Sequence, residues 1–416
     1  MIKLEHYREM FEDETAGSTS EAHAYDMPGF NMPSGSALLL PEHKLDYRKM
    51  NLERVLVVRL DSVGDVVMLS PALRMLRNAL PDARITLLAS PAGSQAAPLL
   101  PWIDDVIVSE ALWQDMTGKV RFNPENELGL IEQIRSHEFS AAFIFTSFSQ
   151  SPLPAAYACY LAGIPHRIGF STESAGGVLS CTPSTPVEET HQADRNTALL
   201  EAIRMPAESR QLELSVSREV QEQADQLLES VGIKPEMSFI LLAPGANDKA
   251  RRYDPKRFAS VARLLAAEAG LPVVITGSVK EAEAIQPVIE VAAEARTGNI
   301  HSLVGRTSMP ELAAIIRRAS LVVANNSAVM HIADAFQRPM VILYSGTEFV
   351  SQWMPRSARA RLLCRPVFCA PCHHTECPYG MQCLDIRPDE VAIAALEMLA
   401  ERFYFRLPVK QIGAEL

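Results

Sequence analysis

The chain of 416 residues contains no apolar run long enough to cross a membrane. Its opening, Met1-Ile-Lys-Leu-Glu-His-Tyr-Arg-Glu-Met10, carries too much charge for a secretory signal. A cytoplasmic protein with at most peripheral membrane contact is the expectation. A long basic run is also missing, and the formal net charge is −11, so nucleic acid is not an expected partner. Cysteine is sparse, at seven residues, yet four of them crowd together near the C-terminus. In a reducing compartment that crowding favours metal over disulfides. Apolar residues are plentiful, at 48%, and the length suits two domains plus extras.

The most informative stretch is Val55-Leu-Val-Val-Arg-Leu-Asp-Ser-Val-Gly-Asp-Val-Val-Met-Leu-Ser-Pro71. Residues 55–58 are an apolar, β-branched run suited to a strand buried on both faces. The polar turn Asp61-Ser62-Val63-Gly64-Asp65 follows, and residues 66–80 read as one amphipathic helix. Strand, glycine turn and helix open an α/β domain, with the turn at the carboxyl end of the strand where such sheets bind ligands. Glycine permits close approach of a ligand, and the helix N-terminus favours an anion. Taken alone, Asp65 is also what a simple helix cap looks like.

Residues 1–50 read as an irregular N-terminal extension, with a short helix over residues 3–11. Alternating strands and helices over residues 51–205 predict a first Rossmann-like domain. The polar segment 206–218 reads as a linker. Residues 219–388 repeat the rhythm as a second domain, and residues 389–416 form a terminal helix and tail. Two such halves predict a ligand cleft between them.

Two further constellations lie at strand ends. Asn325-Asn-Ser-Ala-Val-Met-His331 joins a strand to a helix N-terminus, where free amides and the Ser327 hydroxyl suit phosphate oxygens. His331 also fits a buried helix histidine bonded to backbone. The loop Ala243-Pro-Gly-Ala-Asn-Asp-Lys-Ala-Arg-Arg-Tyr253 ends in Lys249, Arg251 and Arg252, which either neutralise a diphosphate or form a solvated charge run. Cys369, Cys372, Cys377 and Cys383, spaced by two, four and five residues, can close a tetrahedral zinc or iron site. Two disulfides or free thiols are the alternatives. A closed four-thiolate site leaves no position for substrate, so any such metal is structural.

The order of these motifs resembles glycosyltransferase family 9, the group that includes the ADP-heptose:lipopolysaccharide heptosyltransferases. The resemblance spans roughly residues 52–400. It rests on Val55–Pro71, Arg251-Arg-Tyr-Asp-Pro-Lys-Arg-Phe258, Leu303-Val-Gly-Arg-Thr-Ser-Met309, Asn326-Ser-Ala-Val-Met-His331 and Val341-Ile-Leu-Tyr-Ser-Gly-Thr-Glu348. It implies an α/β GT-B fold, two Rossmann-like domains facing a central cleft. It also implies an inverting, metal-independent transfer of a sugar from a nucleotide-sugar donor, an ADP-sugar by preference, to a glycolipid or other surface glycan. By resemblance, Asp65 is the general base, with Arg59, Ser62 and Gly64 on the acceptor or leaving-phosphate side. Arg251 stands where the family has a donor-phosphate lysine, Glu281 where an acidic residue binds the ribose, and Thr307 where adenosine packs. Asn326, Ser327, Ala328 and His331 form the pyrophosphate loop. No cofactor is implied for catalysis.

Three departures mark the chain. Asn326-Ser327-Ala328 replaces the usual Asp-Ser/Thr-Gly, Arg251 replaces lysine, and the proline after Tyr253 is displaced by one residue. Asn326 lacks a negative charge, and alanine does not take a positive φ cheaply. These changes keep a non-catalytic nucleotide-binding scaffold as an alternative, beside a protein-glycosylating enzyme and a nucleotide-sugar epimerase. The terminal helix is expected to cross back and brace the first domain.

Overall fold

The computed structural model describes residues 23–26, 45–115, 118, 120–148, 150–294 and 298–404. The helix expected over residues 3–11, most of the extension and the tail lie outside these. In chain order the elements are β1 (His23–Asp26), β2 (Arg54–Arg59), α1 (Val63–Val67), α2 (Ser70–Ala79), β3 (Arg84–Ala89), β4 (Asp105–Val108), α3 (Pro124–Ser136), β5 (Ala141–Ile144), α4 (Leu153–Leu161), β6 (His166–Gly169) and α5 (Gln192–Glu201). There follow α6 (Arg218–Glu229), β7 (Ile240–Ala243), α7 (Pro255–Glu268), β8 (Val273–Ile275), α8 (Gln286–Glu294), β9 (Ile300–Ser302), α9 (Met309–Arg318), β10 (Leu321–Asn325), α10 (Ala328–Ala335), β11 (Met340–Leu343), α11 (Val350–Trp353), β12 (Ala360–Cys364) and α12 (Pro388–Tyr404).

The strands form two sheets, β4-β3-β2-β5-β6 and β1-β12-β11-β10-β7-β8-β9. The first is wholly parallel. The second is parallel except for β1, which runs antiparallel along β12. The continuous apolar runs of β2 and β10 are buried on both faces, as a helix-flanked parallel sheet requires. In each sheet the strand order reverses once near the centre, between β2 and β5 and between β7 and β10. Loops leaving those strands line the crevices where doubly wound sheets hold ligands.

The single helix expected over residues 66–80 is two. Ser62 starts α1 early, and Pro71, which has no N–H to give, falls in the first turn of α2, where that lack costs nothing. The chain therefore steps at Met68 and Leu69, so α1 stays a short piece facing the second sheet. One apolar cluster continues from Val55, Val57 and Phe143 of the first sheet, through Ala313, Ile316 and Ile332 of α9 and α10, to Leu241, Val322 and Ile342 of the second. The terminal helix α12 packs on α7 and over β10 and β11. Its apolar face, with Val391, Ala395 and Leu399, joins the second sheet's outer core, and the expected brace on the first domain is replaced by that packing.

Candidate functional site

Arg59 ends β2 and is fully buried. Its Nε lies 2.8 Å from Asp61 Oδ2, and its Nη2 lies 2.8 Å from Asp65 Oδ1. The same Nη2 donates to Ser147 Oγ at 2.8 Å. Asp65 Oδ2 accepts from the Ser62 amide at 3.0 Å and the Ser62 hydroxyl at 2.6 Å. Asp65 thus makes a helix-capping bond and an ion pair together. Burial pushes its carboxyl up, but the Arg59 charge and the Ser62 bonds outweigh that and hold it below the ordinary carboxylate range. Asp61 is shifted the other way. Burial raises it, Arg59 offsets part, and the Asp65 charge raises it further. Gln150 donates to Asp61 Oδ1 from the loop after β5.

Opposite stands the loop between β10 and α10. Ser327 caps α10, and its hydroxyl is buried with no hydrogen-bond partner among the described residues. The first amides of the helix point the same way, which makes an anion site in waiting. Asn326 is turned inward, and its Oδ1 accepts from the Ser345 amide at 3.1 Å and the Ser345 hydroxyl at 3.2 Å. Its carboxamide therefore ties the end of β10 to the end of β11. Ala328 begins α10 as an ordinary helical residue, so no left-handed backbone is asked of it.

The two halves touch. A Cβ placed on Gly64 would lie 3.0 Å from His331 Cδ2 and 3.5 Å from the Ala328 Cα, so the close approach that needs this glycine is made by His331. His331 is buried, and burial lowers it to about 4, with Asp65 raising it and Arg251 lowering it. Arg251 sends Nη2 to Glu348 at 2.8 Å and Nε to Asp248 at 3.2 Å. Glu348 is itself raised by burial against the Arg251 charge. Asp65, His331, Arg251 and Glu348 thus share one electrostatic neighbourhood, built from both sheets.

Two other expected residues, Glu281 and Thr307, lie on the second sheet's half. Glu281 closes a turn by accepting from the Ser278 amide and hydroxyl, both at 2.8 Å. Its carboxylate lies over Gly245, where a Cβ would meet Oε1 at 2.1 Å. A side chain there would push the Glu281 carboxylate aside. Thr307 sits half-buried in the loop after β9.

A family model described as glycosyltransferase family 9 (heptosyltransferase) matches residues 129–382, more than half of the chain. The chain belongs to glycosyltransferase family 9. Membership makes it a glycosyltransferase. Lipopolysaccharide heptosyltransferase 2 of Escherichia coli strain K12 is 28% identical over 325 residues, covering 74% of this chain and 87% of that protein. A family 9 glycosyl transferase from Veillonella parvula superposes with a TM-score of 0.68 at 22% identity, over 86% of this chain and 99% of that one. The E. coli ADP-heptose lps heptosyltransferase II gives 0.64 at 23% identity, over 84% and 99%. These likenesses bear on the fold, which is the GT-B arrangement.

Several residues around Asp65 and Arg251 were not singled out from sequence. Ser147 and Gln150 follow β5, and Glu348 follows β11. The signal for the first two was the polar run Thr146-Ser-Phe-Ser-Gln150 directly after a buried strand at the switch point.

All seven cysteines are free thiols. Cys369, Cys372, Cys377 and Cys383 line one small cavity beside Gly346 and Thr347. Cys377 Sγ accepts from the amides of Tyr379 and Met381, each at 3.4 Å. Burial raises the Cys383 thiol, with the neighbouring cysteines adding to the rise. Among the described residues no group of three or more His, Cys, Asp or Glu side chains is set to hold a metal ion. The closed zinc or iron site expected from spacing is not formed by these side chains. Sharing a cavity is a weaker condition than tetrahedral closure at bonding distance.

A pH dependence of stability follows from the histidines. Burial beside Arg356 lowers His191 to about 3, and burial lowers His331 to about 4, against an ordinary value of 6.5. Below about pH 6.5 the unfolded chain takes up protons that the native protein refuses. Stability falls as pH drops from about 6.5 toward about 4, and for His191 on toward 3. Denaturant unfolding at pH 7 and pH 4.5 measures the loss, and a His191→Gln variant loses less between those points.

Proposed function

We propose that this chain moves a heptose or related sugar from an ADP-linked donor to a lipopolysaccharide core or similar surface glycan, with inversion and without a metal. It works on the cytoplasmic side, in peripheral contact with the membrane. The observation that carries this reading is the partnerless buried Ser327 hydroxyl at the N-terminus of α10, with Asp65 facing that helix.

The step runs as a single displacement. Asp65 accepts the proton of the acceptor hydroxyl, and that oxygen attacks the anomeric carbon from the side opposite the diphosphate. The bond from the anomeric carbon to the diphosphate oxygen breaks, and negative charge builds on the departing nucleotide. The amides of α10, the Ser327 hydroxyl and Arg251 offset that charge. Arg251 is held by Glu348 and Asp248 in the free protein, so a donor phosphate exchanges with at least one carboxylate. Glu281 meets the ribose and Thr307 the adenosine. Incubation with ADP-heptose and a heptose-accepting core fragment, with and without a chelator, tests the proposal. Transfer at equal rates in both, with inverted configuration in the product, is expected. No transfer while ADP still binds points instead to a nucleotide-binding scaffold.

A further inference from the structure

Arg195 lies in the first turn of α5 and is 4% exposed. Its Nε donates to the Thr146 carbonyl at 3.2 Å. Its guanidinium sits 4.2 Å from the Phe148 ring centroid and 5.2 Å from that of Phe170. No carboxylate pairs with it among the described residues, and its Nη1 has no hydrogen-bond partner. By contrast, the buried Arg59 has Asp61 and Asp65, and the half-buried Arg251 has Glu348 and Asp248. A second unpaired nitrogen lies close by. Arg59 Nη1 also lacks a partner, as does Gln192 Oε1. Burial and the Arg59 charge lower Arg195 to about 10, which leaves it cationic at neutral pH.

A buried cation without a counter-ion is costly, and faces of phenylalanine rings repay only part of that cost. The arrangement makes sense when an anion arrives from outside. The position agrees, because Thr146, Phe148 and Phe170 follow β5 and β6 at the carboxyl edge of the first sheet. Arg59 connects the spot directly to Asp65.

We propose that Arg195 and Arg59 form an anion subsite that takes a carboxylate or phosphate group carried by the acceptor sugar, and so turns the acceptor hydroxyl toward Asp65. This rests on the reading of the Asp65 side as the acceptor side. A planar guanidinium suits either group, since both present paired oxygens. Gln192 Oε1 supplies an acceptor for a neighbouring hydroxyl.

Thermal unfolding of the full chain separates this role from a structural one. Wild type, Arg195→Met and Arg195→Lys are melted alone, with inorganic phosphate, with galacturonate, and with each anion in the presence of ADP. Arg195→Met removes an unpaired charge, so its melting temperature without anion stays at or above that of wild type. Phosphate or galacturonate raises the wild-type melting temperature by roughly 2 °C or more, and raises that of Arg195→Met less. Whichever anion gives the larger difference between the two proteins names the acceptor's group. Equal increments in wild type and both variants, for both anions, overturn the subsite. So does a lower melting temperature of Arg195→Met together with equal increments, which marks Arg195 as a structural stack. Should Arg195→Met fail to fold, Arg195→Lys is judged by the same increments. The ADP shift is read separately, so a missing donor response counts against the proposed function and leaves the anion comparison intact.

Discussion

Asp65→Asn is expected to lower kcat/KM for transfer by about 10²- to 10⁴-fold, the range lost when a positioned general base is removed. The amide keeps the shape of the side chain and still accepts from the Ser62 amide, as the carboxylate does at 3.0 Å. Arg59 keeps Asp61 as its ion-pair partner at 2.8 Å. The fold and the donor side should therefore survive, and ADP should bind the variant within a few-fold of wild type. The pH profile has a definite sign. Arg59 and the Ser62 bonds hold the Asp65 carboxyl below its ordinary range, so the base stays ionised well into acid. Activity is lost only as pH falls through that lowered value, and the acid limb should vanish from whatever residual rate the variant shows. An unchanged rate in Asp65→Asn would remove Asp65 from the chemistry.

The second large effect concerns Asp334, a residue with no part in the reaction. It is buried on α10, and its carboxyl accepts from the amides of Arg356 at 2.9 Å, Ser357 at 2.8 Å and Ala358 at 2.8 Å. The Arg356 side chain then reaches Asp194 of α5, with Nη1 and Nη2 at 2.8 Å and 3.2 Å from its two oxygens. Asp334 thus fixes the loop through which the second sheet's half grips the first. Asp334→Ala leaves three amide donors of a half-buried loop without their acceptor, and each such loss costs about 1 to 3 kcal/mol. Partial rescue by water brings the expected total to about 3 to 5 kcal/mol. Urea unfolding should show the unfolding free energy reduced by that amount, along with weaker coupling between the halves. An unfolding free energy unchanged within about 0.5 kcal/mol would contradict the structural role.

What the sequence revealed follows from where each signal resides. The β2 strand and its Gly64-Asp65 turn announce themselves because a β-branched run, a glycine and a helix start are all local. The strand leading to Ser327 is legible for the same reason. The break between α1 and α2 was missed because the apolar spacing runs on through Met68 and Leu69, and only Pro71 marks the step. The strand β12 escaped notice because Arg361 interrupts its apolar run. That charge is satisfied by Glu397 on α12, a partner far along the chain. The same holds for site chemistry. Nothing adjacent to Arg195 tells that its guanidinium will be buried between Phe148 and Phe170. Nothing beside Asp334 tells that three amides from residues 356–358 converge on it. Gly64 reads as room for a ligand, whereas its neighbour is His331, more than two hundred residues away. The cysteines show the opposite case, since their spacing allows a metal site that the side-chain placement of the described residues does not support.

The most direct test is the melting temperature of the wild-type protein against ADP, UDP and GDP. A ligand that binds only the native form raises it by mass action. The proposed ADP-linked donor site at Asp65, Ser327, His331 and Arg251 predicts a rise with ADP that exceeds the rise with UDP or GDP, and that shrinks in Ser327→Ala. No rise with any of the three nucleotides would contradict a nucleotide-sugar site between the two sheets.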